Sequence, residues 1–450
     1  MEKLKEYLLS KKTILIMILA MSLPAIIEMA LNTMLGVADT IMLSRFIGKE
    51  ALSSAGFANQ IVFTLIFVFS SFNTGAVALI SRSYGEKNFK RLKDVAVQNV
   101  TLNLFLGLIM TVIGLLFSKI IFGIYDVSER VYLDSVKYFE IILIGLLPMF
   151  LSFSFAATLR GSGNTKTPMI ITCIANIINI IGNYVLILGI GPFPKLGIAG
   201  AAWATTGSRY IATFLYIYVL YFKDSKFRLK FRLLLNKDII KPLWNISLPG
   251  AIEQALMQLS FVLLGVIVSK LDTVAEASFR ILIQIESLSF MPAVGMSIAT
   301  ATLVGKSLGE KNSKKAVEIG YLSTLLGLIW AVIMASFFII FPSSIIGIFS
   351  NEAIVITTGI PVMLFLAINQ LGLNIQIVIS GALRGAGDTK VVMLNTILRL
   401  WIIFVPSSFI FINIFNTGLV GIWYAEIISF IFFSTHLLLR FKSKKWIKEI

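Results

Sequence analysis

One cysteine, Cys173, and one histidine, His436, are all that 450 residues supply. A lone thiol cannot close an internal disulfide, and a single imidazole builds neither a His-based zinc site nor a Ser-His-Asp triad. Charge is scarce too, at 14% of residues where a soluble protein carries roughly 25%. The scarcer sign is acidic, with 23 Asp and Glu against 39 Lys and Arg, a formal net charge of +16. What remains is apolar: 57% of residues are hydrophobic, 35 of them Phe, and the mean hydropathy is +0.90. Apolar runs of about 20 residues, the length of a helical span, fill most of the chain. The composition is that of an integral membrane protein.

Twelve spans are expected, near 13–38, 52–80, 94–118, 132–156, 168–190, 196–221, 240–266, 277–304, 316–341, 355–380, 391–413 and 418–440. The basic residues orient them. Of the 39 Lys and Arg, 29 fall at the N-terminus, the even-numbered loops and the C-terminus, and 8 at the odd-numbered loops. Arg209 and Arg399 lie inside spans. Positive charge is retained on the cytoplasmic side, so both termini are expected there. The charge therefore reports topology and anionic-lipid contact rather than nucleic acid. The first hydrophobic segment lacks a small-residue cleavage site and is expected to be retained. The basic stretch Lys223 to Lys241 reads as a cytoplasmic connector, a membrane-hugging tether or a partner site.

Polar residues inside apolar spans carry the functional signal. Ser22 to Arg45, SLPAIIEMALNTMLGVADTIMLSR, is apolar enough for a membrane yet places Glu28, Asn32 and Asp39 on one helix. An uncompensated carboxylate at membrane depth costs at least ~2.5 kcal/mol, so it faces protein or water. Pro24 removes a backbone hydrogen bond from the same helix and invites a bend. The stretch recurs as SLPGAIEQAL at Ser247 to Leu256, with Glu253 at the place of Glu28 and Pro249 at that of Pro24. The GEKN of 85–88 recurs at 309–312, and LRGSGNTK of 159–166 as LRGAGDTK of 383–390. The three offsets are 225, 224 and 224, in the same order, so the chain is an internal duplication. Six spans per repeat, an even number, give both halves the same direction through the membrane.

The paired SLP–E openings, VADTIMLSR, SRSYGEKN and GKSLGEKN, LRGSGNTKTPM and LRGAGDTKVVM, then GIAGAAWATTGS and GLVGIWYAE, resemble the multidrug and toxic compound extrusion (MATE) family. The similarity runs over essentially the whole chain. The fold expected is an all-α integral membrane protein of twelve transmembrane helices in two six-helix lobes, related by a pseudo-two-fold axis along the membrane normal. The lobes would be 1–221 and 240–450, joined by a connector at 222–239. The resemblance implies a secondary antiporter in the plasma membrane, not an enzyme. It would export hydrophobic, often cationic, organic compounds against inward H+ or Na+, as a monomer, with no cofactor and no nucleic acid. The alternative from the same superfamily is a flippase of lipid-linked oligosaccharide, which would need a strongly basic cavity that two intramembrane arginines do not supply.

The resemblance also implies a coupling site in which Asp39 meets Asn179, Asn183 and Thr205. Amide and hydroxyl oxygens there suit Na+ as well as a proton site. Several relatives carry a second Asp where Asn183 stands, so the ion is left open. The bland alternative makes Asp39 a helix-end cap. Glu253, Gln284, Glu286 and Arg399 form the candidate second-lobe group, in which Glu253 either titrates or lines a cavity and Arg399 pairs with Glu253 or Glu286. Glu28 leans structural. Arg82, Arg160, Lys306 and Arg384 are assigned to topology and loop closure, and Pro24 and Pro249 to hinges or static kinks. A cysteine placed at Lys230 should be labelled only from the cytoplasm and one at Glu129 only from outside; labelling of both from one side would remove the twelve-span topology.

Overall fold

A computed structural model describes residues 2–223, 228–230, 233 and 235–447. Part of the expected connector 222–239 therefore lies outside the described residues. Sixteen helices follow in order: α1 Glu2–Phe46, α2 Lys49–Phe72, α3 Thr74–Gly85, α4 Phe89–Gly123, α5 Glu129–Ile144, α6 Leu146–Gly161, α7 Lys166–Leu188 and α8 Ile198–Ile217; then α9 Lys237–Val268, α10 Thr273–Gly309, α11 Ser313–Ile340, α12 Pro342–Gly347, α13 Ala353–Gly385, α14 Thr389–Leu398, α15 Val405–Asn413 and α16 Val420–Lys442. Among the described residues there is no strand. Only helices satisfy their own backbone groups where lipid offers no partner, which is why an apolar chain of this length folds this way.

Among the described residues ten helical stretches are long and apolar enough to cross a membrane, and the bent pair α5–α6 makes an eleventh. The twelfth expected span is α8, prolonged by the π-helical turn Tyr218–Lys223; its Gly, Ser and Thr residues and Arg209 dilute the hydropathy. Two spans read as single helices are broken. α2 and α3 meet at Asn73, and α5 and α6 meet at Gly145 with a 43° bend. The second break has a tertiary cause. A Cβ on Gly145 would meet Thr206 Oγ1 at 3.0 Å, while Thr206 Oγ1 donates to the Ile141 carbonyl at 2.8 Å. α8 thus approaches where a side chain would stand and takes up the carbonyl that the bend frees.

The duplicated loops repeat down to single hydrogen bonds. In GEKN the left-handed residue is not the glycine but the lysine, Lys87 at φ 56° and Lys311 at φ 55°. Asn88 Oδ1 then accepts from Arg91 N at 3.0 Å and Asn312 Oδ1 from Lys315 N at 2.9 Å, capping the next helix. In the LRG loops the glycine does the turning, Gly163 at φ 90° and Gly387 at φ 84°.

The chain forms two compact units, residues 27–247 and residues 1–26 with 248–450. Their limits fall inside α1 and α9, just beyond Pro24 and just before Pro249, while both helices run on through their prolines. Such prolines are tolerated in membrane helices when neighbours satisfy the freed backbone groups. In the first unit, apolar clusters join α2, α5 and α6, and separately α3, α4 and α6 with Leu243 of α9. In the second, Ile14, Ile18 and Met21 of α1 pack on Ala299, Leu303 and Leu383. The tightest approach in that unit is between α10 and α13: a Cβ on Gly385 would lie 2.6 Å from Ala301 Cα. Gly385→Ala should lower the thermal unfolding midpoint in detergent, an overpacking cost on the order of 1–3 kcal/mol. Gly265→Ala, with nothing within 4 Å, should leave the midpoint unchanged or raise it; equal behaviour of the two variants would contradict the close helix approach.

Candidate functional site

One face of α7 carries Thr172, Asn176, Asn179 and Asn183, at steps of four, three and four residues, which stack along a helix. α1 lies against this stripe. Asn183 Nδ2 donates to Asp39 Oδ1 at 2.5 Å and to Asn179 Oδ1 at 3.0 Å, and Asn179 Nδ2 donates to Thr205 Oγ1 of α8 at 3.1 Å. The four residues expected together are therefore one hydrogen-bonded chain. Asp39 sits in the interior of α1, which continues to Phe46, so it is not a helix-end cap. Asn179 and Asn183 are 0% and 1% exposed. With its amide nitrogen committed twice, Asn183 Oδ1 is buried without a partner. A lone-pair oxygen left unsatisfied beside a carboxylate is a costly arrangement unless something positive visits it. Arg209 of α8, which donates to the Ile142 carbonyl at 3.4 Å, is near enough to act electrostatically on Asp39.

The same stripe holds α1 at two further points. Thr172 Oγ1 donates to Glu28 Oε1 at 3.4 Å and Asn176 Nδ2 to the Leu31 carbonyl at 2.8 Å. Arg160, at the end of α6, donates through Nη2 to Glu28 Oε1 at 2.6 Å. Arg160 and Arg384, expected from sequence to serve topology and loop closure, each have a partner in the structure. Arg384 Nη2 donates to Glu253 Oε1 at 2.8 Å, so Glu253 pairs with Arg384 and not with Arg399.

The second-lobe group divides accordingly. Glu253 belongs to that ion pair, Gln284 lies exposed on α10, and Glu286 and Arg399 belong to a separate cluster. There Glu286 and Glu426 lie within hydrogen-bonding reach of each other, and both face Arg399. Asn369 Nδ2 donates to Glu426 Oε2 at 2.7 Å, while Arg399 donates to Ser429 Oγ at 3.3 Å and stacks 4.4 Å from the Phe430 ring centre. Glu426 and Asn369 were missed. The signal for Glu426 was present: aligning GIAGAAWAT of 197–205 with GLVGIWYAE of 418–426 puts it opposite Thr205. Among the described residues no three His, Cys, Asp or Glu side chains gather as a metal-binding group. The buried amides Asn73, Asn99 and Asn103 bond to one another and, through Asn99, to Ser154, consistent with glue between α3, α4 and α6.

Comparison with known proteins follows the same division. The MatE family model matches twice, over residues 24–185 and 249–410, beginning 225 residues apart. A probable multidrug resistance protein NorM of Thermotoga maritima is 33% identical over 440 residues, covering 96% of this chain and 93% of its own. A probable multidrug resistance protein YoeA of Bacillus subtilis is 28% identical over 406 residues, covering 89% and 87%. Among solved structures, a MATE crystallised in complex with MaL6 has a TM-score of 0.89 at 22% identity over 95% of both chains. A MOP superfamily transporter from Pyrococcus furiosus has the same score and identity over 96% of both. At that identity the structural likeness speaks for the fold alone. The doubled family match and the relative at 33% identity place this chain in the MatE family of membrane transporters, which are not enzymes.

Proposed function

We propose that the protein exports hydrophobic organic compounds, often cationic, from the cell in exchange for H+ or Na+ entering through a site at Asp39. The class of substrate is supported by the relatives described as multidrug resistance proteins. The observation that carries the coupling site is the chain Asp39–Asn183–Asn179–Thr205 with the unpartnered Asn183 oxygen at its centre. A carboxylate, an amide oxygen and a hydroxyl are hard donors that suit a proton or a small monovalent cation.

The mechanism follows from the charge. An ion bound at Asp39 shifts the balance between inward- and outward-open states by its difference in affinity for the two, and by no more. With the carboxylate neutralised, the outer part of α1 loses one electrostatic tie to the α7 stripe, and organic substrate competes with the ion directly or through that helix. The protein works in this reading as a monomer in the plasma membrane with both termini in the cytoplasm, the orientation that its basic loops favour.

Asp39→Asn keeps the shape and an oxygen for the Asn183 amide but removes the charge. At close range in a partly dry site one charge–cation attraction is worth roughly 2–4 kcal/mol, enough for at least about a tenfold loss of ion occupancy. Dye efflux from proteoliposomes under an imposed pH or Na+ gradient should collapse in this variant while its unfolding midpoint stays near that of the parent. The gradient that drives the parent protein identifies the ion. Normal gradient-driven efflux by Asp39→Asn would overturn the assignment.

A further inference from the structure

Two of the three places where α1 is bonded to α7 have counterparts in the other unit. Glu28 with Arg160 and Thr172 corresponds to Glu253 with Arg384, at 2.8 Å, and Thr396, also at 2.8 Å. The bond from Asn176 to the Leu31 carbonyl corresponds to one from Trp401 Nε1 to the Leu256 carbonyl at 3.2 Å. Trp401 lies in the π-helical turn Arg399–Phe404, which takes one extra residue into the repeat at this point. Each glutamate stands four residues after the proline of its helix. Each arginine comes from the end of the helix that precedes the Gly-turned LRG loop.

A buried ion pair is an expensive way to hold two helices together, because both charges lose their water and an apolar contact often does as well. Its use twice, at equivalent places, points to a demand for register. Glu28 and Asp39 are eleven residues apart, about three turns, and so share a face of α1. Thr172 and Asn183, their respective partners on α7, are also eleven apart. Fixing Glu28 against Thr172 at one end thus sets where Asp39 meets Asn183 at the other. A slip of one residue between the helices would displace the carboxylate by ~1.5 Å. In the second unit the clamp is present but its far end is empty of charge: the position 225 residues after Asp39 is Leu264, which is 1% exposed and packs in the apolar core.

We propose that Glu28 and Arg160 are positioning residues for the coupling ion, setting the register of α1 on α7 that brings Asp39 to Asn183. The repeat-related Glu253 and Arg384 clamp α9 in the same way without an ion to position. This rests on the reading of Asp39 as the coupling residue. The two clamps are built alike, so a purely structural role predicts like effects of breaking them, whereas a positioning role predicts unlike ones.

The test compares Glu28→Gln, Glu28→Asp, Glu253→Gln and the double variant Glu28→Gln/Arg160→Gln in proteoliposomes, recording the half-saturating concentration of the driving ion and the maximal dye efflux rate. Glu28→Gln should raise the half-saturating concentration by roughly tenfold to a hundredfold, the scale seen when a partner that orients a cation ligand is removed. Glu28→Asp should recover part of that shift. Glu253→Gln should change the maximal rate with the half-saturating concentration unmoved. The double variant leaves no orphan charge, so its unfolding midpoint should recover relative to Glu28→Gln while its ion dependence stays shifted. An unchanged ion dependence in Glu28→Gln, equal shifts in Glu28→Gln and Glu253→Gln, or recovery of ion dependence in the double variant would each reduce the pair to a structural tie. Asp39→Asn run alongside separates the two claims: normal transport there sinks the Asp39 reading, whereas its failure beside an unshifted Glu28→Gln sinks only the clamp.

Discussion

A polar group in the hydrocarbon core has no water to turn to, so each one must find a partner in the protein or recruit one from solution. That constraint explains where this chain puts its few carboxylates. Glu28 and Glu253 are neutralised by arginines from neighbouring helices, and Glu286 and Glu426 share Arg399. Asp39 is different. Its hydrogen-bond partner is the neutral amide nitrogen of Asn183, and the oxygen of that amide has no partner. Asn369, the amide that donates to Glu426, also leaves its oxygen unpartnered, but there Arg399 and Glu286 stand beside the carboxylate.

The duplication shows what each half was built from and where the halves have parted. The GEKN cap, the LRG turn and the glutamate–arginine pair are backbone and helix-joining devices, and both units keep them nearly atom for atom. The charged residues deeper in each unit are not shared. Asp39 has a leucine as its repeat counterpart, and Glu426 stands where the other unit has Thr205. The two units thus share their scaffold and differ in their ionisable groups.

Much of this was legible in the sequence because the membrane imposes long, simple patterns. The spans follow from apolar run length, and the repeats from recurring motifs of four to ten residues. The grouping of Asp39, Asn179, Asn183 and Thr205 came from resemblance to a family, not from spacing, since a sequence does not say that α1 lies against α7. The four-residue step from Asn179 to Asn183 gave only their common face. What stayed hidden depends on contacts distant in sequence. The bend at Gly145 is set by Thr206 of α8, sixty-one residues on. Arg160 and Arg384 sit at helix ends, where a cation has reason enough to be without a buried glutamate 132 or 131 residues away. The π-helical turn that brings Trp401 to Leu256 has no local signature in RLWIIF.

If the Asp39 carboxyl group holds the driving ion, as proposed, that group must respond when the ion binds. Difference infrared spectroscopy of the purified transporter, recorded as pH or Na+ is changed across the range that drives transport, reads carboxyl groups directly. A carboxyl band should respond to the driving ion in the parent protein, be absent in Asp39→Asn, and remain in Glu286→Gln. Persistence of that band in Asp39→Asn, or its loss in Glu286→Gln alone, would place the ion elsewhere and contradict a site at Asp39.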